Sequence, residues 1–225
     1  MTRKRRLSTG PKPPKRDDPG RQVRPPSAPP ASRRRKVPAK PAPGSDAVQA
    51  EMVPELALRV GHGWDLHRLE PIKPAGAGRP MVLGGVPVDA PSCAGRGPVA
   101  RSDGDVLLHA ITDAILGALA LPDIGQLFPD TSSANEGRDS AEFLAEAVRR
   151  MTGAGYVVGN LDATVICERP KLGPIKERIR LNLARLLGVS PERVNIKGKT
   201  HERVDAVGEG RAIEAHAVVT LLLKK

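Results

Sequence analysis

Eleven of the chain's 23 prolines and its whole net charge of +11 fall in the first 50 residues. That segment carries 14 Lys and Arg against three Asp, has no aromatic side chain, and includes the clusters Arg3-Lys4-Arg5-Arg6 and Arg33-Arg34-Arg35-Lys36. Ordering a backbone costs about 1–2 kcal/mol per residue, and a stretch so poor in apolar groups cannot offset that. Residues 51 to 225 hold 22 basic and 22 acidic side chains, which cancel. The pattern therefore predicts a disordered extension over residues 1 to 55 and one folded domain over residues 56 to 225. The extension reads as a weak contact for nucleic acid or another anionic partner, as an Arg- and Ser-rich targeting peptide, or as a merely solvated segment; its prolines count against an amphipathic presequence.

Two cysteines, Cys93 and Cys167, form no C-x-x-C pair, and no secretory apolar core precedes them. A disulfide framework is not expected. The longest apolar runs end well short of the roughly 20 residues that span a bilayer, so no membrane partner is expected and a reducing, cytoplasmic setting fits, unless the extension directs the chain to an organelle.

Within the domain, Leu56 to Leu66 reads as a strand and Met81 to Val88 as a second, interrupted by Gly84 and Gly85. Residues 68 to 80 and 89 to 101 are connections rich in Pro and Gly. A helix is expected from Asp103 to Leu121, closed by Leu121-Pro122-Asp123-Ile124-Gly125, with Phe128-Pro129-Asp130-Thr131 as a loop. Helical spacing of Phe143, Leu144, Ala147, Val148 and Met151 predicts a second helix after Asp139-Ser140, and Pro174 to Leu187 a third. Tyr156 to Cys167, Arg193 to Lys199 and Ala212 to Leu223 read as strands. Strands separated by few helices imply an α/β (α+β) domain with a single sheet.

Residues i and i+2 of a strand project from the same face, so Asp65 and His67 can grip one ion. A third candidate ligand, His109, lies on the first helix, with Ser102 as the expected N-cap and Asp105 at the capping-box position. One carboxylate and two imidazoles suit zinc with a fourth position open, as a catalytic site requires. Asp113 shares the helix face of Asp105 and His109 and is expected to be part of a solvated stripe. Glu168-Arg169-Pro170-Lys171-Leu172-Gly173-Pro174 links a strand to a helix, where ligand loops often lie. Lys197-Gly198-Lys199-Thr200-His201-Glu202 gathers ammonium groups, a hydroxyl and a carboxylate, suited to phosphate with a hard cation.

Taken in order, Gly61-His62-Gly63-Trp64-Asp65-Leu66-His67, Ser102-Asp103-Gly104-Asp105 through His109, Asp123-Ile124-Gly125 with Phe128-Pro129-Asp130-Thr131, Arg169-Pro170-Lys171-Leu172 and Lys197 to Glu202 closely resemble the 2-C-methyl-D-erythritol 2,4-cyclodiphosphate synthase family, in register from about Leu58 to Leu223. The resemblance implies a homotrimer of subunits with one mixed sheet backed by helices and with sites between neighbours. It implies that a small cytidine diphosphate substrate closes to a cyclodiphosphate with loss of CMP, a phosphorus-oxygen lyase reaction of non-mevalonate isoprenoid synthesis. By position, Asp65, His67 and His109 would hold zinc or another divalent transition metal, and Glu202 a Mg2+ or Mn2+. Thr200 would stabilise the transition state with Lys199 beside it. Cys167, Pro170, Lys171, Leu172 and Gly173 would form the cytidine pocket. Asp123, Ile124, Gly125, Phe128 and Asp130 would receive the methylerythritol phosphate end, and Ser102 a phosphate.

Two positions depart from the family pattern. Arg101 stands where the residue before the serine is usually histidine; an arginine still donates to phosphate but is longer and keeps its proton. Gly208-Glu209-Gly210-Arg211 reverses the usual order of arginine and glutamate, which puts in question an anion site on the trimer axis. Competing readings are a metal-dependent nucleotide phosphodiesterase on the same scaffold and a nucleic-acid-binding protein whose working part is the basic extension.

Overall fold

The computed structural model describes residues 57–225, so the extension and Leu56 lie outside the described residues. Among the described residues twelve elements other than single-turn 3-10 helices follow in order: β1 (Leu58–Pro71), β2 (Val82–Leu83), β3 (Val86–Pro87), β4 (Arg96–Pro98), α1 (Val106–Ala118), α2 (Ile124–Leu127), α3 (Ser140–Gly153), β5 (Tyr156–Ile166), α4 (Lys176–Leu187), β6 (Val194–Lys199), α5 (Asp205–Gly208) and β7 (Ala212–Leu223). The main sheet has strand order β4-β1-β7-β5-β6, with only β5 and β6 parallel. It is a mixed sheet, as the resemblance implied. A single sheet, however, is a misreading: β2 and β3 form a separate two-stranded hairpin.

That hairpin turns through Gly84 (φ 60°) and Gly85 (φ 72°), the paired positive angles that two-residue turns demand and that glycine adopts without a Cβ clash. Both turn amides donate to one buried carboxylate, Gly84 N to Asp105 Oδ1 at 2.9 Å and Gly85 N to Asp105 Oδ2 at 2.7 Å. Asp105 also caps α1, accepting from Leu107 N and Leu108 N. The cap is therefore Asp105, and not Ser102. Both residues are good caps locally, and the two hairpin amides that only Asp105 can reach decide between them.

Helix α1 is apolar nearly all round and is buried accordingly, lying across β1 and β7 with α3 beside it. Beneath it the sheet presents small residues. A Cβ added to Gly61 would sit 1.8 Å from Ala114 O, and one added to Gly63 would sit 1.9 Å from Ala110 O. Glycine at both positions lets the helix backbone rest on the strand. Ala215 and Ala217 of β7 are fully buried in the adjacent strand. On the same side Leu161, Ala163 and Val165 of β5 and Ile196 of β6 are buried, together with Ile179, Leu183 and Leu187 of α4. α4 ends at Gly188 in the left-handed conformation (φ 67°), where glycine carries no Cβ penalty.

Other boundaries moved for physical reasons. β1 runs on to Pro71 because Leu69, Glu70 and Pro71 pair with β4, which lies in a stretch expected to be connection. The first helix is shorter at both ends than expected, and Ile124 to Phe128 contains the short helix α2, capped by Asp123 through Gln126 N. Asp113 is not part of a solvated stripe: its Oδ1 accepts from Ile124 N at 2.8 Å, tying α2 to α1. Burial pushes its carboxyl up from the ordinary value. Among the described residues no helix is long and apolar enough to cross a membrane.

Candidate metal centre and flanking pockets

Gly61, Gly63, Asp65 and His67 are alternate residues of β1 and share the face beneath α1. Because the two glycines bring the helix down, His109, one residue before Ala110, reaches the strand. The three ligand atoms converge: His109 Nδ1 lies 2.9 Å from Asp65 Oδ2, His67 Nε2 lies 3.2 Å from the same oxygen, and the two imidazole nitrogens are 3.2 Å apart. Among the described residues this is the one group of three or more such side chains that could hold a metal ion. Ligands about 2.0–2.2 Å from a tetrahedral zinc ion stand about 3.3–3.6 Å from one another. The observed triangle needs to open by only a few tenths of an ångström, so the donor set fits a divalent transition metal.

The charge states suit ligation. Burial pushes the Asp65 carboxyl up, but the His109 hydrogen bond and the two imidazoles outweigh it and leave the group below its ordinary value. Burial holds His67 below the usual histidine value, favouring the neutral ring that binds metals. The far nitrogen of His109 is also engaged: Nε2 is 2.8 Å from Ser140 Oγ and 3.3 Å from Ser102 Oγ. Ser140 Oγ in turn makes a close hydrogen bond to Asp103 Oδ1, and its amide donates to Asp103 Oδ2 at 3.1 Å. This relay fixes the imidazole plane, as outer partners of metal-ligating histidines commonly do. The reading of the sequence missed Ser140 and Asp103. An Asp-Ser pair at a helix start carries no sign that it faces a histidine 31 residues earlier.

His67 and His109 line an open cavity of about 780 Å3. Of the expected site residues, Arg101, Ser102, Ile124, Gly125, Phe128 and Asp130 also line it. Asp123 does not, its carboxylate being spent on the α2 cap. Val99, Ala100, Asn135, Glu136 and Phe143 complete the wall and were not anticipated. Phe128 and Phe143 pack in a tilted arrangement with ring centroids 4.5 Å apart, and the Arg138 guanidinium sits 5.2 Å from each centroid.

A second cavity, of about 460 Å3, is lined by Cys167, Pro170, Lys171, Leu172, Gly173, Lys199, Thr200 and Glu202, with Lys176 and Gly198 added. The cavity thus joins the 167–173 segment, read from the sequence as one pocket, with Lys199, Thr200 and Glu202, read as a separate phosphate and cation stretch. Thr200 Oγ1 donates to Glu202 Oε1 at 3.0 Å, and Glu202 has a positive φ of 51°. Lys197 turns away to Asp162. Burial pushes the Cys167 thiol up to about 12, so it is no thiolate nucleophile at neutral pH.

Sheet register relates the two cavities. Asp65 and Val165 both pair with Ala215, from opposite sides of β7. His67 and Cys167 therefore flank β7 at the same end of the sheet, about 10 Å apart across two strand spacings. Asp65, His67, His109 and Arg101 lie on one side, and Lys171, Lys199 and Thr200 on the other.

The YgbB family model matches residues 58–222. The chain is 54% identical over 187 residues to the chloroplastic 2-C-methyl-D-erythritol 2,4-cyclodiphosphate synthase of Oryza sativa subsp. japonica, covering 79% of this chain and 80% of the relative. It is 56% identical over 170 residues to the chloroplastic synthase of Arabidopsis thaliana, covering 76% and 69%. Among solved structures, IspF of Plasmodium falciparum in complex with CDP superposes with a TM-score of 0.63 at 34% identity, covering 75% of this chain and 98% of that one. With the ordered motifs, the mixed sheet and the Asp65, His67 and His109 cluster all in place, this chain belongs to the YgbB family of 2-C-methyl-D-erythritol 2,4-cyclodiphosphate synthases.

Proposed function

We propose that the chain converts 4-diphosphocytidyl-2-C-methyl-D-erythritol 2-phosphate to 2-C-methyl-D-erythritol 2,4-cyclodiphosphate with release of CMP. An oxygen of the substrate's 2-phosphate attacks the β-phosphorus, the bond from that phosphorus to the CMP oxygen breaks, and CMP leaves with the electron pair. No protein nucleophile is needed. The chain must instead fold an anionic substrate so that two phosphates meet in line, and held geometry of that kind is worth roughly 7–11 kcal/mol. The observation that carries this reading is the convergence of Asp65, His67 and His109 atoms, with the two histidines in the wall of a cavity that Arg101 also lines.

Asp65, His67 and His109 would hold zinc or another divalent transition metal and Glu202 a Mg2+ or Mn2+, which when bound supply Lewis-acid polarisation and charge neutralisation at the diphosphate. The remaining roles belong to side chains. Arg101 donates to a phosphate, as does Ser102 with its amide. Thr200 and Lys199 face the charge that develops on the departing CMP. Lys171 and the backbone of residues 167 to 173 receive the cytidine end, in agreement with the CDP named for the Plasmodium neighbour. Ile124, Gly125, Phe128 and Asp130 receive the methylerythritol end, with Asp123 acting through α2.

The chain works as a homotrimer in this reading. The face of the main sheet opposite the helices leaves Val60, Trp64, Leu66, Val218 and Leu222 exposed by 40% or more, more apolar surface than a lone sheet face normally shows water. Residues 56 to 225 are the catalytic domain. Residues 1 to 55 are a separate basic extension, and the chloroplastic names of the rice and Arabidopsis relatives support organellar targeting as its task over a purely cytoplasmic one.

The test is incubation of the purified protein with the cytidylated substrate and Mg2+, followed by phosphorus NMR. CMP and a cyclic diphosphate are expected in equal amounts. CMP with an open-chain phosphate would make the enzyme a phosphodiesterase and defeat the proposal.

A further inference from the structure

At the mouth of the larger cavity three separate segments are joined through one carboxylate. Arg79, between β1 and β2, donates from Nε to Ala100 O at 2.9 Å and from Nη2 to Arg101 O at 3.1 Å. The same Nη2 forms a close ion pair with Glu136 Oε1. The other oxygen, Glu136 Oε2, lies 3.1 Å from Arg101 Nη1. From the adjacent residue, Gly137 N donates to Arg101 O at 2.8 Å. Among the described residues neither arginine pairs with another carboxylate. The Arg79 side chain is 21% exposed and the Arg101 side chain 40%, so Arg79 is the anchor and Arg101 the arm that reaches solvent and cavity.

An arginine in this place has four rotatable side-chain bonds where a histidine would have two, so its donor atoms are harder to hold in one spot. Two guanidiniums near one another also repel unless an anion lies between them. Glu136 answers both needs. We propose that Glu136 is a positioning residue: braced by Arg79, it sets the Arg101 guanidinium across the cavity mouth as a ready donor to the incoming substrate phosphate. One oxygen of Glu136 serves each arginine, so Arg101 keeps its remaining N–H groups for the substrate. The inference rests on the reading of Arg101 as a phosphate donor and adds what makes that donor effective.

The test is a double-mutant cycle on the full chain with the metal bound, measuring CMP release and thermal midpoints for Arg101→Ala, Glu136→Ala, Glu136→Gln and the double Arg101→Ala/Glu136→Ala protein. Each single alanine change should lower kcat/KM by about tenfold, and the double change should be no worse than Arg101→Ala alone, because side chains acting as one unit are not additive. Glu136→Gln, which keeps an acceptor but not the charge, should fall between. Melting points should stay close to that of the parent, since Glu136 is half exposed. If Arg101→Ala is impaired and Glu136→Ala is not, or if the two losses multiply, the positioning role is wrong while the donor role stands. If Arg101→Ala matches the parent, the donor reading falls and this inference falls with it. Should Glu136→Ala fail to fold, Glu136→Gln combined with Arg101→Ala decides by the same criterion.

Discussion

Replacing Gly63 with alanine should damage stability and metal binding together. The new Cβ would lie 1.9 Å from Ala110 O and 2.6 Å from Ala114 N, both backbone atoms of α1. Ordinary contact begins near 3.4 Å, so strand and helix must separate by about 1.5 Å, and no rotamer change can absorb it. Overpacking of a core costs about 1–3 kcal/mol, and a clash with helix backbone places this change near the top of that range. The same movement carries His109 away from Asp65 and His67. Metal-ligand distances tolerate only about 0.2 Å, so an intact fold would still lose at least tenfold in zinc affinity. Urea unfolding of the metal-free protein and zinc titration against a chromophoric chelator measure the two effects. Gly153→Ala is the control: nothing lies within 4 Å of its added Cβ, and as a residue of α3 it should be neutral or stabilising. A Gly63→Ala protein with the parent's unfolding midpoint and zinc affinity would refute the claim that helix-strand approach sets the metal triangle.

Three further outcomes are expected. His109→Ala should lose bound zinc and turnover and remain folded; stoichiometric zinc by metal analysis would remove His109 from the ligand set. Burial holds Asp105 up at about 6, against an ordinary value near 3.9, so the native state binds more protons between those limits. The stability this contributes is complete below about pH 4 and lost as the pH rises through 6, at most about 3 kcal/mol, and less because four amides favour the carboxylate. Asp105→Asn should flatten that slope in unfolding midpoints measured from pH 4 to 7 while lowering stability throughout; an unchanged slope would show that Asp105 does not titrate there. A chain shortened to begin at Met52 should keep a net charge of only +1, from 22 basic and 21 acidic side chains, and keep turnover within about threefold, well under 1 kcal/mol in the barrier. Folded but inactive protein would mean that the extension reaches a site, and salt-sensitive binding to nucleic acid should disappear with it.

Much of the site was legible in residue order. The two-residue period of a strand is local, so placing Asp65 and His67 on one face needed no tertiary knowledge, and β7 was read with both ends correct. His109 could be assigned to a helix for the same reason. Contacts between distant segments were hidden. Ser102 and Asp105 are equal as local caps, and the choice was made by the amides of a hairpin 20 residues away. Strands of two or three residues, as in β2, β3 and β4, are too short to show a period and exist through their partners. Asp113 reads as solvated and Asp123 as a substrate contact in sequence, yet each is taken by a backbone amide of α2. The departure at Arg101 was visible at once, whereas the Glu136 and Arg79 partners that hold it lie 35 residues after it and 22 before. Periodicity follows from the covalent geometry of neighbouring residues, but the partner of a buried or charged group is chosen only when the folded chain brings remote segments together.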